Sequence, residues 1–84
     1  MKKISKMKID SLVYVTSSYW STGDQRLLKA RLAIAKMIQE ETEISWGAIL
    51  NLVDCILMCD GFAPEADNQT IYNALQLFGW DVVE

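Results

Sequence analysis

Apolar residues recur at helical spacing in three separate stretches of the chain. From Asp24 to about Glu41, Leu27, Leu28, Ala30, Leu32, Ile34, Ala35, Met37 and Ile38 gather on one broad face. Gln25, Lys29, Lys36 and Glu40 lie opposite them. Ser21-Thr22-Gly23-Asp24 provides a turn and a helix N-cap ahead of this stretch. From Asp67 or Asn68 to Phe78, the stripe is Ile71, Ala74, Leu75 and Phe78, and Gly79 ends it. Between the two lies Trp46 to Cys59, with Ser45 as its cap and Gly61 as its stop. The predicted fold is mainly α, a single domain with a core of three helices over about 24–41, 45–60 and 67–78.

The two ends of the chain read differently. Leu12-Val13-Tyr14-Val15-Thr16 is β-branched and aromatic, which favours a strand. Ile9, Leu12, Val13, Thr16, Tyr19 and Trp20 also fall at helical spacing, and a helix there would give an all-α four-helix domain. Composition tips the choice to a strand, and the extended tail Trp80-Asp81-Val82-Val83 would pair with it as a small sheet. Residues 1–8, with four lysines, are expected to form a flexible basic arm.

The middle helix poses a problem of cover. On a wheel of 100° per residue its polar seam of Gly47, Asn51 and Asp54, with Met58 among them, spans only about 60°. About three quarters of the circumference is apolar, whereas one neighbouring helix covers roughly a 100° stripe. One solution is a central helix wrapped by the rest of a compact domain. The other leaves part of it against a second protein, either a twin subunit or a target.

Length and composition narrow the classes. With 84 residues and 51% hydrophobic content, the chain is one small globular domain rather than a disordered segment. No apolar run reaches the ~20 residues needed to span a bilayer. The lysines of MKKISKMKID are not followed by the apolar core of a signal peptide, so a cytoplasmic protein without a membrane role is expected. In that compartment Cys55 and Cys59 are reduced thiols, and Asn68-Gln69-Thr70 is a sequon that stays unmodified.

Charge is segregated far more sharply than the net −3 suggests. All eight basic residues lie between Lys2 and Lys36, opposed there only by Asp10 and Asp24, which leaves +6. From Met37 to Glu84 there are nine acids and no base, −9. The halves either face each other within the fold or present an acidic surface to a basic partner. Arg31 sits inside the apolar face of its helix, where a guanidinium needs a partner, an exit to solvent or an interface. Asp54, across the helix pair, is the candidate partner.

Residues able to do chemistry are scarce. There is no histidine, which removes the usual general base, the commonest metal ligand and the Ser-His and Cys-His nucleophiles. Cys55 and Cys59 share a helix face and lack a further pair of suitable ligands beyond Asp54 and Asp60, so they read as buried small hydrophobes. The four glycines are isolated and form no phosphate loop. No catalytic residue, metal site or cofactor is expected, and the chain does not read as an enzyme.

The sequence therefore points to a non-catalytic protein–protein interaction module. Its expected character is that of a small acidic inhibitor or accessory factor of a nucleic-acid-handling protein, as in phage-type counter-defence. The partner would be a protein with a basic surface, and a homo-oligomer is a further option. The expected contact residues are Glu40, Glu41, Glu43, Asp54, Asp60, Glu65, Asp67, Asp81 and Trp80. The alternative is a small DNA-binding transcriptional regulator using the lysine arm and the third helix, with Gln69 and Asn73 as base readers. The absence of any cation after Lys36 argues against nucleic acid, because phosphate contacts supply most of the affinity.

Overall fold

The computed structural model describes residues 2–59 and 64–84, with side chains over 3–55 and 68–84. The chain runs β1 (Lys2–Ser5), α1 (Lys6–Thr22), α2 (Gln25–Thr42), α3 (Trp46–Cys59), α4 (Pro64–Leu77) and β2 (Trp80–Val83). The mainly helical core and the small sheet of terminal segments are both present, with a fourth helix where a strand was expected.

Residues 9–20 are helical. Ile9, Leu12, Val13 and Thr16 are buried, whereas Tyr14 is 72% exposed. A strand would have put Leu12, Tyr14 and Thr16 on one face. The 3.6-residue period wins because the buried stripe packs along α2, and this tertiary burial overrides a β propensity worth only ~1 kcal/mol. The turn between α1 and α2 is local chemistry. Gly23 takes φ 71° and returns its N–H to the Tyr19 carbonyl at 2.7 Å, closing α1. Asp24 then caps α2 by accepting the Arg26 backbone N–H at 2.9 Å. The same carboxylate receives the Arg26 guanidinium, which holds it below its usual range.

The α2–α3 link is equally compact. Thr42 is buried and its hydroxyl donates to the Ile38 carbonyl at 2.6 Å while accepting the Ile44 N–H at 3.2 Å. Glu43 adopts φ 66° as the C-cap and donates its N–H to the Gln39 carbonyl at 2.8 Å. The Gln39 side chain accepts the Trp46 N–H at 2.8 Å, so the last turn of α2 holds the first turn of α3. Helix α4 begins at Pro64, a turn earlier than the stripe predicts. Proline suits the first helical position, since its missing N–H is an orphan there in any case.

The sheet partner of the tail is not residues 12–16 but β1. The strands are parallel, with Lys2 beside Trp80, Lys3 beside Asp81, Ile4 beside Val82 and Ser5 beside Val83. Residues 2–5 are therefore not a solvated arm: Ile4 is 2% exposed and Val82 is buried beside it. They close a core that also takes Ile9, Leu12 and Val13 from α1, Ala35 and Ile38 from α2, Ile49 and Val53 from α3, and Ile71, Tyr72 and Leu75 from α4. The lysine-rich composition masked this single inward isoleucine.

If β1 is an integral part of the core, Ile4→Ala lowers unfolding free energy by ~2–4 kcal/mol, the usual cost of such a truncation in a core. Lys3→Ala, on the outward face, changes it by less than ~0.5 kcal/mol. Urea titration of the two variants checks this, and equal, negligible effects would mean that the N-terminal segment does not support the fold.

Candidate functional site

The fold brings the two oppositely charged halves of the chain together. Lys6 meets Glu84 at 3.3 Å, Lys8 bonds Glu41, and Arg31 meets Asp54 at 2.6 Å. In each pair the cation comes from the basic half and the anion from the acidic half. The Arg31–Asp54 bond is the interior one, with the side chains 12% and 29% exposed. It joins the charge on the apolar face of α2 to the one charged residue of α3, in that helix's polar seam. The bond is single, and Arg31 Nε and Asp54 Oδ1 are buried without a partner among the described residues.

Helix α3 is not fully enclosed. Ile49 and Val53 point into the core, and Asp54 turns to α2. Trp46, Ala48, Asn51 and Cys55 are exposed, and Leu52 is half-buried. Cys55 is thus a surface thiol rather than the buried hydrophobe the sequence suggested, while the Cys59 side chain lies outside the described residues. Ala48 and Leu52 form one wall of an apolar cleft of about 240 Å³, with Ile44 and Ile49 behind them and Leu75, Phe78 and Trp80 opposite. Phe78 is 74% and its neighbour Leu77 87% exposed. The end of α4 therefore presents uncovered apolar surface beside the uncovered flank of α3.

A second concavity, of about 490 Å³, runs along α1 past Asp10, Tyr14, Ser17, Ser18 and Ser21 to Asn68. Its carboxylate is already engaged. Asp10 accepts from Asn68 Nδ2 at 3.0 Å and from the Tyr72 hydroxyl. Burial, reinforced by the hydrogen bond to Asp10 and its charge, pushes the Tyr72 phenol up to about 12. Lys6 stands 5.5 Å from the centre of the Tyr72 ring, so this knot joins α1, α4 and the C-terminal Glu84. The serines of the concavity have no histidine to activate them. Among the described residues no group of three or more Cys, Asp or Glu is gathered to hold a metal, and no helix is long and apolar enough to cross a membrane.

The expected contact residues do not converge on one spot. Glu40 and Glu43 stand exposed at the end of α2, and Ile44, the residue after Glu43, lines the cleft. Glu41 is exposed but bonded to Lys8, and Asp54 faces inward to Arg31. Trp80 lines the cleft, whereas Asp81, the next residue of the strand, points to the opposite face beside Lys3. Glu65 and Asp67 lie on the first turn of α4 with their side chains outside the described residues, as Asp60 does entirely. The cleft residues Ala48, Leu52 and Phe78 were not among the expected contact residues. The available signal was the excess of apolar circumference on α3, which did not reveal which flank would remain open.

Two outcomes follow from these geometries. Removing one partner of the interior ion pair, as in Arg31→Met or Asp54→Leu, is expected to cost ~2–3 kcal/mol, because it strands the other charge. The double variant recovers most of that loss, as a thermal denaturation cycle of the four proteins would show. For Tyr72, the folded value exceeds the unfolded value of about 10, so its contribution is complete below pH 10 and is lost as pH rises towards 12. The stability advantage of the wild type over Tyr72→Phe then shrinks by up to ~2 kcal/mol across that window in urea titrations. A constant difference would dissociate the phenol from the alkaline transition.

No protein-family model, curated protein or solved structure matches this chain.

Proposed function

We propose that this protein is a non-catalytic interaction module that acts by occupying a cationic surface of another protein. The observation that carries the reading is the segregation of charge, with all cations before residue 37 and nine acids after it. Internal pairing accounts for part of that segregation. Among the described residues Glu41, Asp54 and Glu84 of the acidic segment meet Lys8, Arg31 and Lys6 of the basic one. Acidic residues in a segment without a base favour encounter with a positive surface. Surfaces of that kind hold nucleic acid in many proteins, and an acidic module seated on one obstructs it. An inhibitor or accessory factor of a nucleic-acid-handling protein, of the kind used in phage counter-defence, fits this character.

Direct DNA recognition is the weaker reading. Two of the N-terminal lysines, Lys6 and Lys8, are held in ion pairs, and Ile4 anchors the segment that was to be the free arm. On α4, Asn68 is bonded to Asp10, and Gln69 donates to Asn73 at 3.0 Å. No cation accompanies these residues along that helix.

The test is affinity capture from nuclease-treated host extract, comparing the wild type with the triple variant Glu40→Lys, Glu43→Lys and Asp81→Lys. A partner retained by the wild type, released by salt and lost by the charge-reversed triple is the expected result. Equal retention by both proteins removes the acidic surface from the mechanism. Turnover of a substrate by the purified chain would remove the reading altogether.

A further inference from the structure

We propose that the concavity along α1 receives a lysine side chain of the partner, with its ammonium on Asp10 and its methylene stem against Val13 and Tyr14. This deepens the reading above and rests on its premise that the partner is cationic. Asp10 is the one charged group among the described residues that line the concavity, so the complementary ligand is a cation. The two bonds that hold Asp10, from Asn68 Nδ2 and from the Tyr72 hydroxyl, both end on Oδ1. Oδ2 accepts no bond among the described residues, and it is not buried. The carboxylate is thus fixed in orientation by α4 while one oxygen stays open. The lysines nearest to it on α1 are committed elsewhere, Lys6 to Glu84 and Lys8 to Glu41.

The surroundings of Asp10 select the kind of cation. Tyr14 and Ser17 follow it at i+4 and i+7, so a carboxylate, a ring and a hydroxyl share one face of α1. Tyr14 is 72% exposed and Val13 beside it is buried, which gives an apolar stem a wall and a floor and puts a ring within reach of a cation. A guanidinium binds a carboxylate best as a fork on both oxygens, and Oδ1 already accepts two bonds. An ammonium is a point charge that needs Oδ2 alone, and its remaining donors can turn to the Ser17 hydroxyl or to solvent. A divalent metal ion would need several oxygen ligands, and the lining supplies a single carboxylate. The concavity, of about 490 Å³, is larger than one amine chain fills, which favours a lysine borne on a larger molecule over a free amine.

The probe is the tripeptide acetyl-Ala-Lys-Ala-amide. Its twins carry Nε-acetyl-lysine or arginine in place of lysine, and diaminobutane serves as a free amine. Amide chemical shifts are followed by NMR titration of the wild type, Asp10→Asn and Tyr14→Ala, with circular dichroism as the check on folding. The lysine peptide is expected to give saturable shifts at Asp10, Val13, Tyr14, Ser17 and Asn68. The acetylated twin, without the charge, gives none, and the arginine twin and diaminobutane bind more weakly than the lysine peptide. Asp10→Asn loses at least ~10-fold in affinity, as removal of the charged acceptor requires. Tyr14→Ala loses ~2–5-fold, the share of an exposed ring beside a cation.

Shifts that spread over the surface without saturating, equal binding of the acetylated twin, or binding indifferent to Asp10→Asn overturns the proposal. If Asp10→Asn does not fold, Tyr14→Ala decides alone, because its side chain is exposed and its loss leaves the core intact. Tighter binding of diaminobutane than of the lysine peptide also overturns it, since the site would then belong to a free amine. If the lysine peptide fails while the salt-labile, charge-dependent capture persists, the acidic module stands and only the concavity is wrong. If both fail, the cationic partner itself is wrong.

Discussion

A chain of 84 residues has few elements with which to enclose a helix that is apolar around most of its circumference, and here the cover is incomplete. Helix α3 places Ile49 and Val53 in the core and turns Asp54 to Arg31. Its remaining flank, Ala48 with half-buried Leu52 and exposed Cys55, is left beside the equally uncovered Leu77 and Phe78. The elements available for cover are already used. α1 and α2 pack mainly on each other, and α4 must also carry β2. The open strip is thus a consequence of size, and its position is a consequence of which faces the other elements need.

The ion pairs show how far a segregated charge can be satisfied internally. Among the described residues three cations of the basic half reach three anions of the acidic half, two of them at the surface and one in the interior. The surface pairs contribute little individually, since solvent screens them and ordering two long side chains has an entropic cost. Arg31–Asp54 is different in kind. Its desolvation offsets much of its Coulombic gain, so its value lies in aligning α2 with α3 rather than in net stability. The Asp10, Asn68 and Tyr72 knot aligns α1 with α4 in the same way.

The closure of the fold by its own ends has a related logic. β1 and β2 are only four residues each, too short to persist alone. They are held because Ile4 and Val82 sit side by side in the core, and the exposed Lys6–Glu84 pair just beyond them adds little. The parallel pairing requires the intervening chain to cross from one strand to the other, and all four helices form that crossover.

Much of this was legible in the sequence. The extents of α2 and α3, the turn at Gly23-Asp24 and the extended tail all follow from local signals: periodicity and capping residues. The charge of Arg31 on an apolar face signalled a need for a partner, an exit or an interface, and packing chose Asp54. The misreadings share one cause. Leu12–Thr16 has strand composition, Lys2–Ser5 looks like a solvated arm, and Cys55 looks like core filler. In each case packing decided the outcome: α2 for α1, β2 for β1, and for Cys55 a flank of α3 that no helix among the described residues covers. Period and composition report which faces of an element are apolar. Only packing decides which of those faces the rest of the chain can reach, because a small domain has more apolar surface than it has elements to cover it.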